Sequence, residues 1–114
     1  MRRVVITGLG IVSCIGNNQS EVLDSLLNTK SGIVFSEDHK KYNFRSQVVG
    51  SIKNLDVSDH IDRKKIRFMG DGSAYNYIAM QEAVKDSGLE EKDVSNEMTG
   101  IIMGSGGPSI KNVV

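Results

Sequence analysis

The segment 4–16, with the sequence VVITGLGIVSCIG, constrains the fold of this chain more than any other. It carries no charge and opens with three β-branched residues, which pack well on a pleated surface. Apolar and polar residues do not alternate, which indicates a strand covered on both faces, as in the centre of an α/β sheet. Gly8 and Gly10 are typical of a strand that another backbone or a ligand approaches closely. We therefore predict a buried central strand over residues 4–13 that bends at its glycines.

The same glycines also fit a dinucleotide-binding fingerprint. Gly8-x-Gly10-x-x-Ser13 is close to the G-x-G-x-x-G/A pattern that follows the first strand of such domains. The third position is serine, and the ribose-binding acid that should close a second strand is missing. Glu37 and Asp38 are candidates for that acid by order alone. A dinucleotide-binding α/β domain is therefore one alternative hypothesis.

A secretory signal is the second alternative. Arg2 and Arg3 followed by an apolar run resemble the charged and hydrophobic regions of a signal peptide. Residues 11–14 (IVSC) resemble a lipoprotein cleavage box, so cleavage before Cys14 would give a secreted lipoprotein lipidated on that cysteine. Against this, the run is short and is interrupted by glycines, each of which costs a helix about 0.8–1.0 kcal/mol relative to alanine. A transmembrane span is excluded because it needs about 20 apolar residues.

The composition narrows the functions that remain. Lys plus Arg (14) balances Asp plus Glu (14), so the chain as a whole is not expected to bind nucleic acid or an anionic membrane. Aromatic residues make up 5% of the chain, without tryptophan, which argues against a base-stacking surface. One cysteine cannot form an internal disulfide, and the spacing of a metal site is absent. We therefore expect a cytoplasmic protein with no metal and no cofactor.

A first helix follows the opening segment. Asn18 is a suitable N-cap, and Glu21 three residues later can reach back to it as in a capping box. The helix should end between residues 28 and 32, where Gly32 can adopt a positive φ. Residues 33–42 have no apolar period and are interpreted as a loop.

A short strand and a basic helix come next. Residues 44–52 contain a Val-Val pair and predict the strand. Residues 59–69 (DHIDRKKIRFM) predict an amphipathic helix with acids at its start and bases at its end, which suits the helix macrodipole. Arg63, Lys64 and Arg67 fall on one side of it. This basic face is either a solvated surface or a docking patch for an acidic partner.

The last third of the chain predicts a buried helix, a strand and a turn. Residues 73–87 are apolar nearly all round, which is typical of a core helix, and Gly88 followed by Leu89 should end it. Residues 101–103 predict another short buried strand. Residues 104–109 (GSGGPS) form a glycine-rich turn without the Gly-Lys-Ser/Thr ending of a P-loop. We therefore expect close backbone packing there rather than phosphate binding.

The blocks VVITGLGIVSCIGNN, TKSGI, IDRKKIRFM, DSGL and IIMGSGG, in this order, closely resemble the β-ketoacyl-[acyl-carrier-protein] synthases. Within that family the chain is similar to type I, the condensing enzymes of bacterial fatty acid biosynthesis. The similarity spans nearly the whole chain. It implies an α/β, thiolase-like fold of two related halves, each a mixed sheet with buried helices. Residues 1–114 would be the N-terminal portion of the first thiolase-like domain, incomplete on its own.

The resemblance also implies a reaction, the decarboxylative condensation of malonyl-carrier protein with an acyl-enzyme thioester. The enzyme would be an acyltransferase that acts as a homodimer on acyl carrier protein. The family's nucleophilic cysteine, two histidines and lysine lie beyond residue 114, so we expect no catalytic residue here and no activity of this chain alone. Cys14 is not a substitute, because a nucleophilic cysteine needs a helix N-terminus or a base nearby. In an apolar block a free cysteine packs as a small hydrophobe.

Two sites in this chain follow from the resemblance. Lys64 and Arg67 match the basic positions through which the family binds its acidic carrier protein, and Arg63 is adjacent to them. Gly107 falls where type I enzymes keep glycine and type II enzymes carry a bulkier apolar gate to the acyl pocket. We therefore expect carrier-protein docking at the three cations and an acyl-pocket gate at Gly107.

Overall fold

The computed structural model describes residues 2–107 and Ser109, and these residues form a small mixed α/β structure. In chain order the elements are α1 (Gln19–Leu27), β1 (Ile33–Phe35), α2 (Glu37–Lys41), β2 (Val48–Gly50), the 3₁₀ turn Val57–Asp59, α3 (Arg63–Ile66), α4 (Asp71–Ser87) and α5 (Glu91–Val94). They divide between two compact units. One contains the described residues of Met1–Ile11 and Asp56–Val114, and the other is Val12–Leu55.

Helix α1, in the unit Val12–Leu55, begins where its capping residues predict. The Oδ1 of Asn18 accepts a hydrogen bond from the N–H of Glu21 at 3.0 Å, as expected of an N-cap. The Glu21 carboxylate reaches back one residue further than a capping box requires and accepts the N–H of Asn17 at 2.7 Å. The predicted helix is confirmed, with its return bond displaced to Asn17.

The predicted ending of this helix is wrong in its detail. Thr29, not Gly32, adopts the positive φ (52°), and the N–H of Lys30 returns to the carbonyl oxygen of Ser25 at 2.8 Å. Gly32 serves another purpose. A Cβ there would lie 2.6 Å from the carbonyl carbon of Cys14 and 2.7 Å from its Sγ, so only glycine leaves room for that residue.

The two strands of this unit form an antiparallel pair. Val34 of β1 lies opposite Val49 of β2, and Ile33 lies opposite Gly50. The strand predicted within residues 44–52 is thereby confirmed as β2.

The segment 33–42 is not the loop that its irregular pattern predicts, because it forms β1 and α2. The Oγ of Ser36 accepts the N–H of His39 at 3.2 Å, which is a helix N-cap. Acids precede bases along α2, in the sense that the macrodipole favours. These local signals outweigh the missing apolar period.

In the other unit, the buried strand predicted over residues 4–13 is wrong. Val4 is 93% exposed, and the backbone of this segment bonds to side chains instead of a neighbouring strand. The N–H of Leu9 donates to Asp86 Oδ2, and the N–H of Ile11 donates to Glu82 Oε2, both at 2.9 Å. Two residues of extended chain advance about 6.6 Å and four residues of helix about 6 Å, so alternate N–H groups meet successive turns of α4.

The close backbone approach predicted at Gly8 and Gly10 is confirmed. A Cβ on Gly10 would overlap the carbonyl oxygen of Ala79 and lie 2.7 Å from the nitrogen of Ala83. A Cβ on Gly8 would likewise overlap the carbonyl oxygen of Ala83. The two glycines therefore let the segment lie directly on the backbone of α4.

The helix predicted over residues 59–69 is shorter than expected. The 3₁₀ turn occupies its beginning, and the Oδ1 of Asp62 starts α3 by accepting the N–H of Lys64 at 2.7 Å. After Ile66, Arg67 keeps helical dihedral angles as the C-cap, and α4 then begins at Asp71 rather than at the predicted residue 73.

The predicted end of α4 is confirmed. Gly88 adopts the left-handed conformation (φ 67°), and its N–H donates to the carbonyl oxygen of Lys85 at 3.3 Å. The N–H of Leu89 donates to the Ser87 Oγ at 3.2 Å, and that hydroxyl donates to the carbonyl oxygen of Val84 at 2.7 Å. In a Schellman turn the N–H of Leu89 would donate directly to the carbonyl oxygen of Val84. Here the Ser87 hydroxyl lies between the two groups and bonds to both.

Apolar burial in this unit is confined to one face of α4 and to Ile61, which precedes α3. Among the described residues, the buried apolar side chains are Ile61, Ala74 and Ile78. The prediction that α4 is buried all round is therefore wrong. The strand predicted over residues 101–103 is also wrong, and Ile102 is 98% exposed. The physical reason is that no described strand lies beside this segment to pair with its backbone groups.

The contact between Gly10 and α4 predicts a large effect of a small substitution. Gly10→Ala should destabilise the chain by about 1–3 kcal/mol, because overpacking forces backbone atoms of α4 to move. The measurement is the free energy of unfolding from a urea titration of the complete protein. Gly72→Ala is the matched control, since nothing lies within 4 Å of a Cβ at that helical position, and it should stabilise α4 by up to about 1 kcal/mol. Equal effects of the two substitutions would contradict the close approach.

Candidate functional site

The three cations predicted to form a docking face lie on one short helix. Arg63 and Lys64 open α3, and Arg67 follows as its C-cap with helical dihedral angles. At 3.6 residues per turn, residues three and four apart are neighbours on a helix surface. All three side chains are exposed. We call Arg63, Lys64 and Arg67 the basic patch.

The basic patch has no ion pair among residues 2–107 and 109, whose ion pairs are Lys30–Asp24 and Lys92–Glu90. Two acids that lie close to the patch in sequence, Asp62 and Asp56, cap turns. Asp62 accepts the N–H of Lys64, as described above. Hydrogen bonds from the hydroxyl (2.6 Å) and the N–H (2.8 Å) of Ser58 hold the pKa of Asp56 below its usual value, and the positive charges of Arg63 and His60 lower it further. The patch therefore presents three exposed cations that form no ion pair with a described residue.

An apolar cavity of about 410 Å³ lies beside α4 in the same unit. Its walls are mostly methionine, isoleucine and tyrosine side chains with a few polar groups. The lining residues are Met69, Ser73, Asn76, Tyr77, Met80, Ile101, Met103, Gly104 and Ser105. Met69 of the cavity wall is two residues beyond Arg67 in the chain, so the basic patch and the cavity are close in sequence.

Gly107 lines a neighbouring cavity of about 420 Å³ with the start of α4. The two cavities share Ser73, Asn76 and Ser105. The hydroxyl of Ser105 donates to the carbonyl oxygen of Gly107 at 2.7 Å. Close packing of this glycine-rich turn is not observed, because no described atom lies within 4 Å of a Cβ at Gly107. A side chain at this position would therefore project into open space.

Sequence reasoning missed the part of α4 that lines both cavities. It assigned the helix to the core because apolar residues cover most of its circumference. Ser73 and Asn76 are three residues apart, a spacing that puts two polar side chains on one face near the helix start. That polar pair was the sequence feature that could have indicated an exposed, cavity-lining face.

Cys14 belongs to the other unit and is half-buried as a free thiol. Its Sγ would lie 2.7 Å from a Cβ on Gly32 and 3.1 Å from a Cβ on Gly50, so it packs against the two glycines. Asn17, Glu21 and Lys53 share with it a cavity of about 270 Å³. Cys14 therefore has the packing role that the sequence predicts.

His39 is half-buried in α2. Its Nδ1 is 3.2 Å from the carbonyl oxygen of Ser46, and its ring lies 5.0 Å from that of Phe44. Within the described part of the chain, no group of three His, Cys, Asp or Glu side chains could hold a metal ion. No helix in that part is long and apolar enough to cross a membrane.

Comparison with known proteins supplies the family. The chain matches the family model for the beta-ketoacyl synthase N-terminal domain over residues 1–112. It is 54% identical over 112 residues to 3-oxoacyl-[acyl-carrier-protein] synthase 1 of Haemophilus influenzae, covering 98% of this chain and 27% of that protein. The protein of the same name from Escherichia coli K12 is 53% identical over 110 residues, covering 96% of this chain and 27% of that protein.

A more distant relative has a related name. The chain is 36% identical over 107 residues to 3-oxoacyl-[acyl-carrier-protein] synthase 2 of Staphylococcus aureus N315, covering 92% of this chain and 25% of that protein. The chain thus spans about 25–27% of the length of these curated relatives. These matches support neither the lipoprotein nor the dinucleotide-binding alternative.

The sequence blocks that pointed to a condensing-enzyme family all lie within the matched residues, so that resemblance is confirmed. This chain belongs to the β-ketoacyl synthase family and matches its N-terminal domain.

Proposed function

We propose that this chain is the N-terminal portion of a β-ketoacyl-[acyl-carrier-protein] synthase that acts in bacterial fatty acid biosynthesis. The observation that carries the proposal is its 54% identity, over 98% of its length, to a 3-oxoacyl-[acyl-carrier-protein] synthase 1. The complete protein would have the thiolase-like fold of the family, as a cytoplasmic homodimer. Its substrates are the acyl and malonyl forms of acyl carrier protein.

The reaction is a decarboxylative Claisen condensation. A cysteine thiolate attacks the acyl thioester of the carrier protein, which forms the acyl-enzyme thioester and releases the carrier protein's thiolate. Malonyl-carrier protein loses carbon dioxide, and the electron pair left on carbon attacks the acyl thioester, which expels the cysteine thiolate and forms the β-ketoacyl product. Histidines stabilise the enolate oxygen, an electrostatic task. In the family these groups lie beyond residue 114. Residues 1–114 would therefore bind the carrier protein and shape the acyl pocket, and they would take no part in bond formation.

Docking of the carrier protein is the first role of these residues. The basic patch offers three exposed cations without an ion pair among the described residues, and an acidic carrier protein offers the opposite charge. Exposed charges at the rim of an interface mainly raise the association rate and confer salt dependence. Each contact contributes about 0.2–1 kcal/mol, as measured for exposed ion pairs.

Selection of the acyl chain is the second role. Gly107 borders a cavity next to the apolar one, and the space around its Cα is open. A bulkier residue at this position would occupy part of that space. We propose that Gly107 keeps the acyl pocket open, as in type I enzymes of the family.

The proposed function predicts condensing activity for the complete protein and none for residues 1–114 alone. The assay incubates each with acyl- and malonyl-carrier protein and detects the β-ketoacyl product by mass spectrometry. Cys14→Ser in the complete protein should leave turnover unchanged, because Cys14 packs against glycines. Absence of product from the complete protein would refute the function, and loss of turnover in Cys14→Ser would make Cys14 catalytic.

The docking role predicts a salt-dependent loss of binding. Lys64→Glu combined with Arg67→Glu in the complete protein should weaken carrier-protein binding and leave attack on small acyl thioesters unchanged. Affinity is measured in low and moderate salt, because screening limits exposed charges to about 8 Å at physiological ionic strength.

Lys40→Glu combined with Lys41→Glu is the matched control for that experiment. It changes the net charge by the same amount on the exposed surface of α2, so it should alter affinity little. If the two double variants bind the carrier protein equally well, the basic patch is a solvated surface and the docking role is wrong.

The gate role predicts a change of product length. Gly107→Ile in the complete protein should narrow the acyl pocket and shorten the chains that are elongated, with Gly107→Ala giving a smaller effect because it fills less space. Product profiles from a range of acyl-carrier proteins measure this. An unchanged profile in both variants would remove Gly107 from the site.

A further inference from the structure

Lys65 lies between the residues of the basic patch in sequence but not on the helix surface. At about 100° per residue, Arg63, Lys64 and Arg67 fall within about 100° of one another, whereas Lys65 falls on the opposite side of α3. Its Nζ is 5.9 Å from the centroid of the Tyr77 ring on α4. This is inside the range of about 6 Å in which an ammonium group is attracted to an aromatic face.

Helix α3 is a single turn, and its one apolar residue, Ile66, is half-buried. Four helical residues do not form a stable helix in isolation, so packing must hold them. The Asp62 cap fixes where the turn starts, and the buried Ile61 fixes the chain before it. On the other side, Phe68 is 86% exposed and provides no anchor. The contact between Lys65 and Tyr77 joins the middle of the turn to the long helix α4.

The same contact separates like charges. Residues 63–65 are three consecutive cations, and the positions three and four residues from Lys65 hold no further cation. Because the Lys65 ammonium is held at the face of Tyr77, it is removed from the other cations. The rotation of α3 that brings Lys65 to the ring turns the basic patch away from α4.

We propose that Lys65 is a positioning residue, which fixes the rotation of α3 through the Tyr77 ring and thereby orients the basic patch. This inference rests on the proposed docking of an acidic carrier protein. Lys65 itself does not contact that partner. The ring of Tyr77 is needed for the effect, and its hydroxyl is not.

The test compares five single variants and one double variant of the complete protein in carrier-protein binding. Lys65→Met and Tyr77→Leu should each weaken affinity roughly two- to fivefold, the size expected for loss of one cation–π contact. The combination of both should be no weaker than either alone, because the two residues act through one contact. Lys65→Arg and Tyr77→Phe should bind normally, since each keeps a cation or a ring. Lys92→Met is the control for removal of an exposed lysine charge.

A second measurement follows α3 without any partner. The N–H groups of Lys65 and Ile66 donate to the carbonyl oxygen of Asp62 at 2.8 and 3.1 Å, and their hydrogen exchange reports opening of the turn. Exchange should be faster in Lys65→Met and Tyr77→Leu and unchanged in Lys65→Arg and Tyr77→Phe. Melting temperatures of the same variants show whether any effect of Tyr77→Leu is confined to α3.

The outcomes separate this inference from the docking role. Weaker binding in Lys65→Met but not in Tyr77→Leu would mean that Lys65 contacts the carrier protein, and it would overturn the inference. Unchanged exchange in both variants would overturn it as well. If the double reversal at Lys64 and Arg67 leaves binding unchanged, the docking role fails, and the exchange data alone then decide whether Lys65 holds α3.

Discussion

The contact between the backbone of residues 8–11 and the backbone of α4 organises the larger part of this structure. Glycines at 8 and 10 remove the side chains that would separate the two backbones. Two carboxylates four residues apart, Glu82 and Asp86, then accept the N–H groups of Ile11 and Leu9. Backbone donors that a sheet would normally pair are satisfied by a helix surface instead, which meets the requirement that such groups find partners.

Features encoded by a few neighbouring residues were predictable from the sequence. Asn18 begins α1, Gly88 ends α4 in the left-handed conformation, and β2 forms at its Val-Val pair. Each depends on the chemistry of a short stretch, such as a capping oxygen or the absence of a Cβ. Even α2, which was missed, has its own local signal in Ser36. Local chemistry therefore accounts for most of the helix boundaries.

The predictions that failed depend on what lies alongside a segment. The runs at 4–13 and 101–103 have the composition of doubly covered strands, but a strand exists only where a neighbour pairs with it. In the described residues the paired strands are β1 and β2 alone, so both runs remain without a ladder. Composition reports that a segment is suited to burial and pairing. It does not report which segment supplies the partner.

In the candidate site, too, features set by neighbouring residues in the sequence were predictable and contacts between elements were not. The sequence identified the three cations of the basic patch, because their spacing on a helix follows from residue numbers alone. It did not identify Tyr77 as a neighbour of α3, since that contact joins two helices. The sequence also did not show what the nearby acids bind. Asp56 and Asp62 lie close to the patch in sequence, but the Oδ1 of each accepts a backbone N–H.

The basic patch lies on a chain of zero net charge, beside two acids that cap turns. Asp56 and Asp62 each direct Oδ1 at a backbone N–H, and the ion pairs of the described residues include neither of them. The caps at Asp56 and Asp62 therefore stabilise the turns that carry the basic patch without pairing with its cations. The local positive charge comes from the clustering of three cations on α3, and not from an excess of bases in the chain.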